Sequence, residues 1–211
     1  MSRYEKGHKE ETRRRVVEIA AGRFRSNGID SVGVASLMAD AGLTHGGFYA
    51  HFPSKEALIK EALAFALDSA GRQDSDEESA SPFDLRSFIE AYLSPEQRDR
   101  PADGCTLAAL APEIVRRPKS TRAALSKETQ RFIARIASGL PASASPESNI
   151  AIAYGVFAQM LGCLQLSRIV TDKKISNSLL SIGRTNALLI AGLASAKGVG
   201  SKESAGKAGK H

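Results

Sequence analysis

The chain has 211 residues, 42% hydrophobic and 25% charged, with no Trp and two Cys. That length accommodates one large domain or two small ones, and the composition excludes disordered, fibrous and disulfide-framed chains. The net charge of +6 is carried by the two ends: residues 1–60 hold 10 Lys/Arg against 7 Asp/Glu, residues 195–211 hold 4 against 1, and residues 61–194 balance at 15 of each.

A basic N-terminal unit points to a polyanionic partner. The opening MSRYEKGHKEETRRR is too polar for a signal peptide, and the most apolar run, ALLIAGLA at 187–194, is too short to span a bilayer. With Cys105 and Cys163 as the two thiols, the expectation is a cytoplasmic protein with no membrane contact.

The elements follow a helical period, with no convincing strand pattern, so the expected fold class is all-α. A first helix is expected from about Lys9 to Ser26, its apolar face formed by Val17, Ala20, Ala21 and Phe24, and stopped by Asn27-Gly28. A short helix follows over Val34 to Asp40 and breaks at Gly42, and another occupies Thr44 to His51. Phe52-Pro53 ends it, and Ser54 caps a fourth helix that runs to about Ala70. The stretch 72–82 reads as an exposed acidic loop.

An amphipathic helix is expected over Phe83 to Leu93, then a break over 94–104. A helix from Cys105 to Arg117 should kink at Pro112, and Pro118 opens the next, which ends at Gly139. Two long apolar helices, about Glu147 to Arg168 and Ile175 to Ser195, complete the fold, and the Gly/Ser/Lys-rich tail reads as disordered.

The segment AGLTHGGFYAHFPSKEAL concentrates the function. A helix, a glycine-containing turn and a second short helix form a helix-turn-helix, whose second helix enters the DNA major groove. Leu37, Ala41, Leu43 and Phe48 fill the positions that pack the two helices, with Met38 where a smaller residue is usual. Adjacent glycines, Gly46 and Gly47, cost about 1 kcal/mol each in a helix interior, so either the segment is a loop or something approaches their backbone closely. Thr44 can cap the helix or touch phosphate, His45 is the candidate for a base contact, the Tyr49 hydroxyl suits a phosphate oxygen, and Lys55 can pair with a phosphate. Taken singly, Tyr49 could equally cover apolar surface and His51 could be a half-buried histidine.

Thr12 to Ile59 resembles the N-terminal DNA-binding domain of TetR-family transcriptional regulators. The resemblance implies an all-helical homodimer that binds a palindromic operator in double-stranded DNA, commonly as a repressor, and releases it when a small-molecule effector occupies the C-terminal domain. It places Thr44, His45 and Gly46 nearest the bases, Tyr49, His51 and Lys55 on phosphates, and Val34, Ala35 and Ser36 against the backbone across the groove. Residues 1–53 would form this DNA-binding domain, 54–194 a ligand-binding and dimerisation domain, and 195–211 a basic tail.

In the C-terminal region, candidate ligand-contacting residues are Phe65, Phe88, Tyr92, Leu107, Phe132, Ile136, Phe157 and Met160, a pattern shared with plain core. Small residues on the last two helices, namely Ala151, Ala153, Gly155, Ala158 and Gly162 with Gly183, Ala187, Ala191 and Gly192, permit the close approach a dimer interface needs. Cys105 follows Gly104 at a helix start, where the dipole favours a reactive thiolate, and DGCTLAAL resembles a subset of the family that responds to electrophiles or oxidants. An inert thiol is the alternative there, and Cys163 reads as packing. No acidic or His cluster suggests a metal, no cofactor is expected, and the four His all lie outside the C-terminal bundle, which argues against an enzyme.

Overall fold

The computed structural model describes residues 3–72, 83–142 and 145–194. Ten α-helices, with no strand among the described residues, run in the order α1 (Arg3–Asn27), α2 (Val34–Asp40), α3 (Phe48–His51), α4 (Lys55–Arg72), α5 (Leu85–Tyr92), α6 (Pro95–Asp99), α7 (Thr106–Ile114), α8 (Lys119–Ser138), α9 (Pro146–Ile169) and α10 (Lys173–Ile190). The expected acidic loop falls almost wholly, and the tail from Ser195 wholly, outside the described residues.

Two apolar cores organise these helices. The first gathers Val16, Ala20 and Phe24 of α1, Leu37 and Met38 of α2, Phe48 of α3 and Leu58, Ile59, Ala62 and Leu63 of α4. The i, i+4, i+8 spacing along α1 makes one continuous stripe. Gly28 ends that helix at φ +83, its N–H donating to the Phe24 carbonyl at 2.9 Å. The chain can then turn back and bury Ile29 and Val32. The second core is built from α5, α8, α9 and α10 around Ile89, Ile136, Val156 and Met160. Helix α7 serves both: Leu110 and Ile114 pack into the first core and Ala108 into the second.

Residues 94–104 depart from the expected break. They contain α6 and a 3-10 turn over Pro101–Asp103. Ser94 caps α6, accepting from Gln97 N at 3.1 Å, and Pro95 occupies its first position. The Ser-Pro pair is a helix-start signal that the surrounding charge obscured. The short helix persists because Arg98 is buried, pairing with Asp99 at 2.8 Å and donating to Ser176 and Asn177 of α10.

The small residues expected at a dimer interface divide. Ala153, Gly183, Ala187 and Ala191 are buried within the chain, whereas Ala151, Gly155, Ala158 and Gly162 are exposed. Gly183 is fixed by packing, since a Cβ there would lie 2.7 Å from the Cβ of Cys163. Cys163 is accordingly a packing residue. At 24 residues, α9 is long and apolar enough by composition to cross a membrane. One of its faces lies in the second core.

Candidate functional site

The turn between α2 and α3 is closed by backbone geometry. Gly42 adopts φ +70, its N–H donates to Ala39 O at 2.9 Å, and Leu43 N donates to Met38 O at 2.8 Å. This paired closure is a Schellman ending, which needs a left-handed residue. Thr44 is extended and its hydroxyl caps nothing. His45–Gly47 then form a 3-10 turn rather than the first turn of a uniform α-helix, and Phe48–His51 complete the element. Phe48 is 1% exposed and stacks on Phe52 with centroids 5.5 Å apart. That aromatic wedge fixes the orientation of the turn, and it leaves Tyr49 outside, 69% exposed.

The glycine pair is not required by the fold. Gly47 has ordinary helical torsions, φ −68 and ψ −17. A Cβ at Gly46 would meet nothing within 4 Å, and one at Gly47 would make only ordinary contacts, 3.7 Å from Thr44 Oγ1 and 3.8 Å from Met38 Cε. Gly46 is exposed. Bare backbone therefore faces outward from a firmly anchored turn.

The other expected contact residues gather near this turn. Thr44 and His45 on the turn, and Ala35 and Ser36 at the start of α2, are exposed, while Val34 is half-buried against the first core. Ser36 donates to Gly33 O at 2.8 Å. Lys55 is half-buried, with Nζ donating to Ile29 O at 3.2 Å. His51 is half-buried with a buried, unpartnered Nδ1. Burial first, then Lys9 and Arg13, hold its pKa below the ordinary histidine value, which favours the neutral imidazole at neutral pH.

Sequence reading missed the residues that brace this unit. Arg13 pairs with Glu61, donates to the His51 carbonyl, and lies over the Phe52 ring at 4.5 Å. Glu113 of α7 accepts from Ile29 N at 2.7 Å and Asp30 N at 3.3 Å, just after the Gly28 turn. Arg117 pairs with Asp30 and reaches Glu56 at 3.7 Å, and Thr121 donates to Glu56 at 2.6 Å. Partners 38 to 87 positions apart leave no local periodicity to read.

Of the expected ligand-contacting residues, Phe88, Tyr92, Phe132 and Phe157 form one ring cluster, with centroids 5.1–6.2 Å apart. Ile136 and Met160 lie in the same core, Leu107 packs against both cores, and Phe65 packs against the first. Cys105 caps α7, its Sγ accepting from Ala108 N at 3.5 Å, and is half-buried at the edge of the ring cluster. The buried Tyr92 hydroxyl sits beside that sulfur, close enough to interact with it, and has no hydrogen-bond partner of good geometry. Among the described residues no group of three or more potential metal ligands forms.

Comparison with known proteins fits this geometry. Residues 17–62 match the family described as bacterial regulatory proteins, tetR family. The regulator AcrR of Shigella flexneri is 27% identical over 93 residues, a match spanning 44% of this chain and 43% of that protein. Among solved structures, the reduced form of E. coli NemR has a TM-score of 0.67 at 20% identity, covering 84% of this chain and 95% of that one. A TetR regulator from Chloroflexus aurantiacus has a TM-score of 0.61 at 26% identity, covering 86% and 94%. The matched segment contains the anchored glycine turn, the shared helical architecture extends through the second core, and together they support a TetR-family DNA-binding transcriptional regulator.

Proposed function

We propose that the chain is a homodimeric repressor that binds a palindromic operator through the turn at 44–49 and releases it when an electrophilic or oxidising small molecule reacts at Cys105. The observation that carries this reading is the outward-facing backbone at Gly46, open where nothing in the chain needs it open, beside a half-buried Gly47 that also has room for a side chain. A major groove can receive such a surface, with Thr44, His45 and Gly46 against base edges. Tyr49, Lys55 and the start of α2 at Val34, Ala35 and Ser36 contribute backbone contacts. Neutral His51 contributes a hydrogen bond rather than a charge. Residues 1–53 act as the reading head and 54–194 as the dimerising, effector-responsive body.

Dimerisation is supported by an apolar face on α9 and α10. Tyr154, Leu166, Ile169, Ile175, Ile182 and Leu189 are each 47–72% exposed there, beside the exposed small residues Ala151, Gly155, Ala158 and Gly162. Such a face is covered in a stable assembly. A palindrome with half-sites about 34–36 Å apart requires two heads.

Selection of bound duplexes from a random pool tests the proposal, run with and without a thiol-reactive compound. Recovery of one palindromic motif, lost on treatment and retained on treatment of Cys105→Ser, is the expected result. Recovery of unrelated duplexes would remove the specific reading, and release that persists in Cys105→Ser would remove Cys105 as the sensor.

A further inference from the structure

The surroundings of Cys105 are rich in donors. Tyr92 is 5% exposed and its hydroxyl is unpartnered, and burial raises its pKa well above the ordinary tyrosine value, so it remains an O–H donor. The adjacent Thr106 hydroxyl is also buried without a partner. A buried polar group without a partner costs about 1–3 kcal/mol, and the Tyr92 hydroxyl beside a half-buried thiol calls for a ligand that satisfies it.

Two guanidinium groups supply charge. Arg168 of α9 donates to Arg98 O at 3.1 Å and Gln97 O at 2.8 Å. Arg25 of α1 donates to Ala102 O at 2.5 Å. Both interact electrostatically with Cys105, and burial lowers the pKa of each, showing that their charge is incompletely solvated. Neither forms an ion pair within 4 Å of a carboxylate among the described residues, although Asp103 lies near enough to Arg25, and Asp99 near enough to Arg168, to act on it. The end of α7 adds the positive pole of a nine-residue helix. Donors together with two cations that no carboxylate contacts directly favour an anion.

We propose that the N-terminal end of α7 binds a carboxylate-bearing electrophile, which Arg25 and Arg168 attract, the Tyr92 hydroxyl orients, and the Cys105 sulfur attacks. The inference rests on the reading of Cys105 as the effector-responsive residue and adds the charge of the effector. With a conjugated unsaturated acid, sulfur bonds the β-carbon. The π pair moves to the α-carbon, which takes up a proton in place of the one the thiol released. The apolar remainder of the molecule meets Phe157 and its neighbouring rings. Because Arg25 belongs to α1, an anion held here pulls on the helix that carries the reading head.

The test uses two probes of nearly equal size, iodoacetate and iodoacetamide. Each transfers its CH2 group to sulfur as the C–I bond breaks and iodide leaves. Rates of Cys105 modification in the full chain are followed by peptide mass spectrometry and divided by the rates with glutathione. The iodoacetate-to-iodoacetamide ratio is expected to exceed the glutathione ratio by about tenfold or more, the scale on which a charged cleft concentrates a counter-ion. Arg25→Gln, Arg168→Gln and Tyr92→Phe should each lower it. Arg168 also holds two carbonyls, so Tyr92→Phe, which keeps the ring, is the decisive variant, with circular dichroism confirming its fold. A ratio equal to that of glutathione in the unmodified sequence, or one unchanged in a folded Tyr92→Phe, overturns the inference. Operator binding is measured separately. DNA release by iodoacetamide without carboxylate preference removes this inference alone, while carboxylate preference without release removes the sensor reading alone.

Discussion

Glycine has opposite meanings in the two halves of the molecule. In the head, a Cβ at Gly46 would meet nothing within 4 Å. In the body, a Cβ at Gly183 would lie 2.7 Å from Cys163, and one at Gly139 would lie 2.8 Å from Leu85 and 2.9 Å from Phe83. Gly139 has φ −90, so it too is fixed by crowding and not by torsion. A glycine pressed on by its own chain serves packing. A glycine with open space on a rigid, exposed turn is explained from outside the chain, by what must approach it.

Four variants break or sharpen that contrast. The largest effect is expected at Gly183→Ala, where overpacking of α9 against α10 should lower stability by about 1–3 kcal/mol, read as a reduced midpoint in urea. The double change Gly46→Ala, Gly47→Ala should leave that midpoint unchanged or raised, while operator affinity falls at least about tenfold, or about 1.4 kcal/mol. Equal loss of stability in the two variants would erase the distinction. Glu113→Gln replaces a charged acceptor of two backbone N–H groups at the head–body junction and should cost about 1 kcal/mol in thermal unfolding. The smallest effect concerns His51. Its folded pKa is depressed, so the folded head resists protonation more than the unfolded chain does. The stability it contributes is present above the unfolded pKa and is lost as pH falls from about 6.5 toward the lower folded value. His51→Asn should flatten the decline in midpoint over that range, and a decline of unchanged slope would assign the pH dependence to other groups.

Much of the head is legible in the sequence because its signals are local. Asn27-Gly28, Gly42, Phe52-Pro53 and Ser54 each act within a few residues, and each stop appears where the torsions or caps demand it. The α6 segment was misread because its start signal sits in a charged run whose helix is held from a distance, by Arg98 reaching α10. The candidate site divides in the same way. The turn residues 44–49 share one local element, whereas Tyr92, Cys105, Arg25 and Arg168 come from four separate stretches of chain.

The sequence alone determined that this chain is helical, where its first three helices stop, and that a glycine-bearing turn stands between the second and third, because capping, torsional preference and 3.6-residue periodicity operate over one or two turns of chain. Only the tertiary structure decided which small residues are spent inside the α9–α10 contact, which glycines are open, and which donors surround Cys105. Those facts depend on side chains from separate helices meeting in a close-packed interior, and no local rule encodes that meeting.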